Sequence, residues 1–200
     1  MESAANLSIE SIMEKNIPAC GSPRAKFLRW QPGFTLIELL VTLSIAAILL
    51  TVAVPNFITF VQNSRLATQA NDLVAVLNYA RSEAVKRNQP ITVCSSTTST
   101  SCAGSTTWGT GYIVFADDDG DGAVDGGEDV LQVRQGIEGG NTLLAGRDDV
   151  TYQSTGFSPG SNTTFRLCDS RGTASARAIV VSMQGRVRTG TLTAEGLACP

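Results

Sequence analysis

The chain has 200 residues, enough for one modest domain with an appendage, and its 16% charged and 42% apolar residues exclude a disordered chain or a coiled coil. It contains no histidine, which removes Ser/His/Asp triads, Cys/His dyads and the commonest zinc sites. The net charge of −3 restricts any nucleic-acid contact to a local basic patch.

An apolar segment near the amino terminus predicts a membrane anchor. Residues 39–54 carry no charge, and with their apolar flanks they predict a helix over 34–61. A bilayer core requires roughly 20 such residues. The preceding segment contains Lys15, Arg24, Lys26 and Arg29, and a cationic flank stays in the cytoplasm. We therefore expect a single pass through a membrane, with the following body outside the cytoplasm.

One acid interrupts this apolar block. Glu38 is the only charged residue between Phe34 and Val61. An unpaired carboxylate inside a membrane costs at least a few kcal/mol, so we expect Glu38 to have a partner. Cleavage as an ordinary secretory signal is disfavoured, because Thr51-Val52-Ala53 is a poor small-x-small site.

Residues 33–38, Gly-Phe-Thr-Leu-Ile-Glu, resemble the processing site of type IV prepilins and pseudopilins. The long apolar helix and Pro55 also match that pattern. The resemblance implies cleavage between Gly33 and Phe34 by a prepilin peptidase, methylation of the new amino terminus, and pairing of Glu38 with the terminal amine of a neighbouring subunit. Residues 1–33 are then a leader, which a start at Met13 would shorten. The alternative is a single-pass anchor with a chance match.

A second, amphipathic helical pattern follows over residues 62–89. Apolar residues recur at spacings of three and four, as on one buried helix face; they are Leu66, Ala70, Leu73, Leu77, Ala80 and Ala84. Glu83 and Arg87 form a favourable i,i+4 pair, and Pro90 ends the pattern. One long helix, bent or loosened near Pro55, is the simplest account.

Residues 90–200 predict a β-rich head. Short β-type runs lie between Gly, Ser, Thr and Asp residues; they are residues 91–94, 111–115, 130–133, 150–153, 164–167 and 178–182. The Ser/Thr-rich segment 95–107 predicts a solvated loop. The fold class is α+β, with the long helix packed on an antiparallel sheet or small sandwich. This order of parts resembles the FimT/GspH branch of minor pilins and pseudopilins, especially over residues 80–94 and 111–115, and implies the pilin fold.

Four cysteines follow the leader: Cys94, Cys102, Cys168 and Cys199. An even number in an oxidising compartment predicts two disulfides. Of the three possible pairings we favour Cys94–Cys102, which closes a short loop, and Cys168–Cys199, which fastens the carboxyl terminus. Buried free thiols are the alternative; a zinc site is disfavoured because CxxC spacing and histidine are both missing.

An acidic segment matches the D-x-D-x-D-G-x5-E pattern of calcium loops. The candidate ligands are Asp117, Asp119, Asp121, Asp125 and Glu128. Strand-like runs rather than helices flank it, so the alternative is a solvated hairpin tip. No cofactor is required by any of these patterns, and calcium is the one candidate.

The carboxyl-terminal residues 163–200 form a basic region, with five arginines against two acids. Residues 185–188, Gly-Arg-Val-Arg, predict a glycine turn and a returning strand, on which Arg186 and Arg188 share a face about 6.6–6.8 Å apart. This string resembles the G-R-x-R element of FimT-type minor pilins that bind DNA. The resemblance implies a DNA site formed by Gly185, Arg186 and Arg188, and the basic region adds Arg171 and Arg177 as candidate DNA contacts.

Contact with DNA should be made to phosphates, because few aromatic residues lie nearby in the sequence. The alternative is that these arginines pair with acids of a neighbouring subunit or only solubilise a strand.

The sequence thus predicts a structural and binding protein rather than an enzyme, because it offers no acid/base constellation outside the acidic segment. Its expected partners are other pilins in a filament, the prepilin peptidase, the inner membrane and double-stranded DNA. The alternative is an H-type pseudopilin of the type II secretion system that does not bind DNA.

Overall fold

The computed structural model describes residues 33–199. The predicted leader, except for Gly33, and the alternative start Met13 lie outside the described residues. A single long helix, α1, spans Leu36–Arg87 and therefore covers both predicted helical segments. Its range includes Pro55 without interruption. The side chains of Asn56 and Thr59 bond to backbone carbonyls one turn earlier, at 3.0 Å each.

The carboxyl-terminal half of α1 packs on the head through the predicted apolar stripe, which is confirmed. Leu73, Leu77, Ala80 and Ala84 are each 0% exposed. Glu83 bonds to Arg87 across 2.7 Å, the predicted i,i+4 pair. The helix ends where Asn88 adopts a left-handed φ of 57°, just before Pro90.

The head contains eight antiparallel strands in two four-stranded sheets. The strands are β1 (Ile91–Ser95), β2 (Gly111–Ala116), β3 (Val130–Gln135), β4 (Thr142–Leu144), β5 (Asp149–Tyr152), β6 (Thr163–Cys168), β7 (Arg177–Val181) and β8 (Val187–Thr191). The first sheet has the order β3-β2-β1-β5 and the second β4-β6-β7-β8. The predicted α+β class and antiparallel head are therefore confirmed.

Side chains from α1 and both sheets form one main core. Trp108 lies in a short 3-10 turn before β2 and is fully buried. Its ring meets the Phe165 ring edge to face, with centroids 4.8 Å apart. Its indole N–H donates to the Arg147 carbonyl at 2.8 Å, so the polar edge of this large side chain is satisfied.

Two disulfides join Cys94 to Cys102 and Cys168 to Cys199, the pairing favoured from the sequence. The first closes the Ser/Thr-rich loop onto β1. The second joins the end of β6 to the carboxyl-terminal segment. Each lies in a small apolar cluster of its own, apart from the main core.

Candidate functional site

The segment predicted to be processed precedes α1 and is open. Gly33 and Phe34 are exposed, and nothing lies within 4 Å of the position that a Cβ on Gly33 would occupy. The Thr35 hydroxyl accepts the Glu38 backbone N–H at 3.2 Å, which caps the first turn of α1. None of the ion pairs among residues 33–199 includes the Glu38 carboxylate.

The first part of α1 presents an apolar surface that no other residue between 33 and 199 covers. Its large side chains are well exposed, from Leu36 at 77% to Phe60 at 68%. By length and composition, α1 is the one helix of the described chain that could cross a membrane, and its most apolar stretch is 0% buried. A surface of this size needs lipid or other apolar helices around it.

The turn between β7 and β8, residues 182–186, is named the arginine turn. Gly185 has a φ of 73°, and a Cβ there would overlap the Gly156 carbonyl oxygen. The Arg81 side chain of α1 holds the turn in place: its Nε donates to the Gly156 carbonyl at 2.9 Å and its Nη2 to the Gln184 carbonyl at 3.2 Å. The glycine of the Gly-Arg-Val-Arg string is thus required by packing as well as by backbone conformation.

The two arginines of that string have different surroundings. Arg186 is exposed and forms no ion pair with any residue of the described chain. Arg188 lies on β8 and makes a two-bond contact with Glu195, at 2.7 and 3.1 Å. The Arg188 hydrogen bonds hold the pKa of the Glu195 carboxyl below its ordinary value. Arg188 is therefore partly neutralised, whereas Arg186 is not.

Arg186 lies immediately before strand β8. Strand β8 begins at Val187, so Arg186 belongs to the turn. Its backbone there is held by the hairpin closure, in which the Ser182 N–H donates to the Arg186 carbonyl at 3.0 Å. This bond continues the β7–β8 pairing by one position beyond Val181 and Val187.

The sheet register separates the other arginines. Arg188 is opposite Val180 on β7, and Arg166 of β6 is opposite Ala178. Since alternate residues share a face, Arg166 and Arg188 lie on one face of the second sheet, and the exposed Arg177 lies on the other. Arg166 therefore lies on the same sheet face as Arg188. Arg177, which the sequence placed in the candidate DNA site, lies on the opposite face.

Arg171 is occupied by contacts within the chain. Its guanidinium bonds to Asp169 at 2.6 Å and to the side-chain oxygen of Asn63 on α1 at 2.8 Å. Burial favours the protonated form of Asp169, but the bonds from Arg171 outweigh it and hold the pKa of this carboxyl below its usual range. Arg171 thus joins the β6–β7 connection to the long helix.

The predicted calcium segment forms the connection between β2 and β3, and residues 117–129 are named the acidic loop. Carboxylate oxygens of Asp117, Asp119 and Glu128 lie within 4.8 Å of one another, and so do those of Asp119, Asp121 and Asp125. The chain therefore brings all five predicted ligands into two groups that share Asp119.

Two family models match the chain. One, the prokaryotic N-terminal methylation motif, matches residues 31–54, which include Gly33, Phe34 and Glu38. The other, type II transport protein GspH, matches residues 69–185, more than half of the chain. The chain belongs to the GspH family. As a GspH-family chain with a methylation motif, it is a minor pilin or pseudopilin. Membership implies processing by a prepilin peptidase, membrane anchoring and assembly with other pilins.

Solved structures share the fold of this GspH-family protein. The Pseudomonas aeruginosa type IV minor pilin FimU is 24% identical, with a TM-score of 0.53 over 67% of this chain and 94% of FimU. A second crystal form of FimU gives a TM-score of 0.51 over 64% and 94%. The Vibrio cholerae type 2 secretion pseudopilin EpsH is 11% identical, with a TM-score of 0.45 over 64% and 97%. No curated protein sequence matches significantly.

Three residues of this GspH-family site escaped the sequence analysis. Arg81 of α1 contacts the arginine turn, and Glu195 contacts Arg188 of β8. No local sequence pattern indicates either contact. Phe157 is 51% exposed and follows Gly156, which packs on the turn. The next residue, Ser158, donates its N–H to the Met183 carbonyl of the turn at 2.9 Å. The backbone on both sides of the exposed Phe157 therefore contacts the arginine turn.

Proposed function

We propose that this protein is a minor pilin of a type IV pilus whose head binds double-stranded DNA, without sequence preference, for uptake in natural transformation. In this proposal residues 1–33 are the leader, 34–61 the membrane and assembly helix, 62–89 the amphipathic helix, and 90–200 the head. Cleavage occurs after Gly33, Phe34 becomes the methylated amino terminus, and the head faces the periplasm before assembly.

The amino-terminal surface supports the filament part of the proposal. The apolar side chains of α1 before the head are exposed in the isolated chain, and a bundle of sister helices would bury them. Glu38 has no cationic partner among residues 33–199, and the terminal amine of a neighbouring subunit would supply one.

The unpaired Arg186 carries the DNA part of the proposal. It projects from a turn that Arg81 fixes to α1, so its backbone is held before any ligand arrives. A guanidinium without a carboxylate partner is free to bond to phosphate oxygens. Arg188 and Arg166 would add contacts from the adjacent sheet face, Arg188 by exchanging Glu195 for a phosphate.

Phosphate contact has a measurable dependence on salt. On duplex DNA each phosphate neutralised contributes about −0.9 to the slope of log affinity against log salt. Full-length protein in nanodiscs of zwitterionic lipid, titrated with fluorescent duplex DNA at several salt concentrations, should give a slope that Arg186→Ala makes shallower by about 0.9. Equal slopes for duplexes of different sequence would support contact to the backbone alone.

Arg134→Ala is the matched control for this titration. Arg134 is also exposed and unpaired within the described chain, but it lies on β3 of the other sheet. The control should leave the slope unchanged. Identical titrations for Arg186→Ala and the parent, or equal losses for both variants, would reject the DNA site.

A second candidate function is that of an H-type pseudopilin in type II secretion, without DNA binding. The observation in its favour is that the matching family model is described as a type II transport protein. In a deletion strain, lost transformation with intact protein secretion favours the pilus. The reverse result favours the pseudopilus.

A further inference from the structure

One carboxylate oxygen of the acidic loop is buried without a partner. Asp117 directly follows β2 and is 0% exposed. Its Oδ2 accepts the Thr92 hydroxyl at 2.6 Å and the Gly122 N–H at 3.2 Å. Its Oδ1 accepts no hydrogen bond, and it is the only carboxylate oxygen of the described chain that is both buried and unsatisfied. Leaving such an atom without a partner is costly, because burial removes the water that would solvate it.

The surroundings of Asp117 are strongly negative, and no described cation forms an ion pair with the acidic loop. Seven carboxylates lie between residues 117 and 129, and none of the ion pairs found within residues 33–199 includes any of them. Charges of like sign at these separations repel one another. Arg87 and Arg147 lie near the acidic loop, but each forms its ion pair with an acid outside it, Glu83 and Asp149 respectively.

We propose that the acidic loop binds one calcium ion. Asp117, Asp119 and Glu128 would hold the ion from the sheet side, and Asp121 and Asp125 would complete the oxygen shell. The orphaned Oδ1 of Asp117 would then have the ion as its partner. The bonds to Thr92 and Gly122 fix the Asp117 carboxylate, so the ion would tie the acidic loop to β1 and β2.

The number and kind of the ligands favour calcium over magnesium. Oxygens on opposite sides of a Ca²⁺ ion lie about 4.6–5.2 Å apart, given its bond lengths of about 2.3–2.6 Å. Within each of the two groups the carboxylate oxygens lie within 4.8 Å of one another, close enough to share one ion of this size. Magnesium requires a tighter octahedron and retains several waters, so it suits a dedicated set of five carboxylates poorly.

Calorimetric titration of the full-length protein in nanodiscs with CaCl2 tests the proposal. We expect one site with a dissociation constant of about 1 mM or tighter, as in extracellular calcium modules. In a separate thermal melt, a hundredfold excess of calcium over that constant should raise the melting temperature by about 5 °C or more relative to EGTA. Trp108, fully buried in the head, reports the melt by its fluorescence.

Asp119→Asn is the diagnostic variant and Asp118→Asn its control. Both residues are exposed neighbours and both changes remove one negative charge, but only Asp119 belongs to the ligand groups. Asp119→Asn should weaken calcium binding at least tenfold and leave the melt in EGTA within about 2 °C of the parent, since surface substitutions rarely change stability by more than about 0.5 kcal/mol. Asp118→Asn should bind nearly as the parent does.

Three results would overturn the proposal. The first is no heat of binding together with the same melt in calcium and in EGTA. The second is equal weakening by both variants, which would indicate diffuse attraction to the acidic loop. The third is an equal response to MgCl2 at the same concentration, which would remove the assignment to calcium. Asp117→Asn is avoided because the bonds of Asp117 to β1 could make that variant unstable for another reason.

Discussion

Arg188 donates two N–H groups to the two carboxylate oxygens of Glu195, at 2.7 and 3.1 Å. The acid comes from a 3-10 turn, Thr193–Glu195, that follows β8 directly. A phosphate that binds Arg188 must therefore displace a carboxylate from the same chain. Glu195 is an internal competitor for the proposed ligand.

Removing this competitor should strengthen DNA binding. Glu195→Gln leaves a neutral side chain of the same shape, so Arg188 becomes available to phosphate. We expect the dissociation constant for duplex DNA to fall about three- to tenfold at low salt, since Arg188 no longer has to give up a carboxylate before it binds a phosphate. Fluorescence anisotropy with labelled duplex measures the change.

The control for this change is Glu138→Gln, which removes the same charge from an exposed position beyond β3. Its affinity for duplex DNA should change much less. Equal gains from both variants would mean that net charge, rather than release of Arg188, is responsible.

Gly185→Ala should destabilise the head. The change introduces a left-handed non-glycine residue and places a methyl group against the Gly156 carbonyl oxygen. We expect a loss of about 2–4 kcal/mol from the free energy of unfolding, the sum of backbone strain and overpacking. Gly160→Ala is matched in φ, 77° against 73°, but meets nothing within 4 Å, so it should lose only about 1–2 kcal/mol. Urea melts compare the two; equal midpoints would contradict the close packing of the arginine turn.

The two disulfides should differ in their contribution to stability. They join residues 8 and 31 positions apart. The loop-entropy relation gives about 2.5 kcal/mol for the shorter loop and about 3.7 kcal/mol for the longer. Cys168→Ala with Cys199→Ala should therefore lower the melting temperature more than Cys94→Ala with Cys102→Ala. The opposite order would show that packing in the β1 loop, rather than chain entropy, dominates.

The Asp169–Arg171 pair should make stability fall in acid. The pKa of Asp169 is lower in the folded than in the unfolded chain. Its contribution is therefore complete above about pH 5 and is lost as the pH falls through the folded pKa. Asp149 opposes this trend, because burial raises its pKa and protonation there favours the folded state.

Asp169→Asn should consequently show a smaller drop in melting temperature between about pH 5 and pH 3 than the parent does. Asp148→Asn, an exposed acid outside the ion pairs of the described chain, should follow the parent. Parallel curves for Asp169→Asn and the parent would exclude this pair as a source of acid sensitivity.

Processing after Gly33 predicts the amino terminus of the protein in its natural membrane. Peptide mass spectrometry should find a first residue Phe34 that carries one N-methyl group. Gly33→Asp should abolish this peptide, whereas Gly21→Asp, at another glycine of the leader, should not. A mature chain that begins elsewhere would contradict the cleavage assignment.

The helix and most strands were predicted correctly, because each depends on a pattern within a short stretch of sequence. The stripe from Leu66 to Ala84 lies on one helix face, and six β-type runs became strands with ends within two residues of those expected. Strand β4 was missed because it has three residues, of which only Leu143 is buried. The run of residues 130–133 was predicted, but its extension to Gln135 was not, because the added residues are polar and exposed.

The candidate sites were predictable only where their residues are neighbours in the chain. The acidic loop and the Gly-Arg-Val-Arg string were visible as motifs. The pairing of Arg188 with Glu195 and of Arg171 with Asn63 depends on side-chain positions that tertiary packing sets. The face shared by Arg166 and Arg188 depends on the strand register, which could not be predicted from a single sequence.

The contacts of Arg81 give the head a mechanical property. A single guanidinium on α1 holds two loop carbonyls, at Gly156 and Gln184, close in the chain to the unpaired Arg186. A load applied to Arg186 from outside would therefore pass within one turn to the helix, without first stretching the β7–β8 hairpin. In a filament that retracts, this short connection would transmit the pulling force to a bound polymer with little stretching of the head.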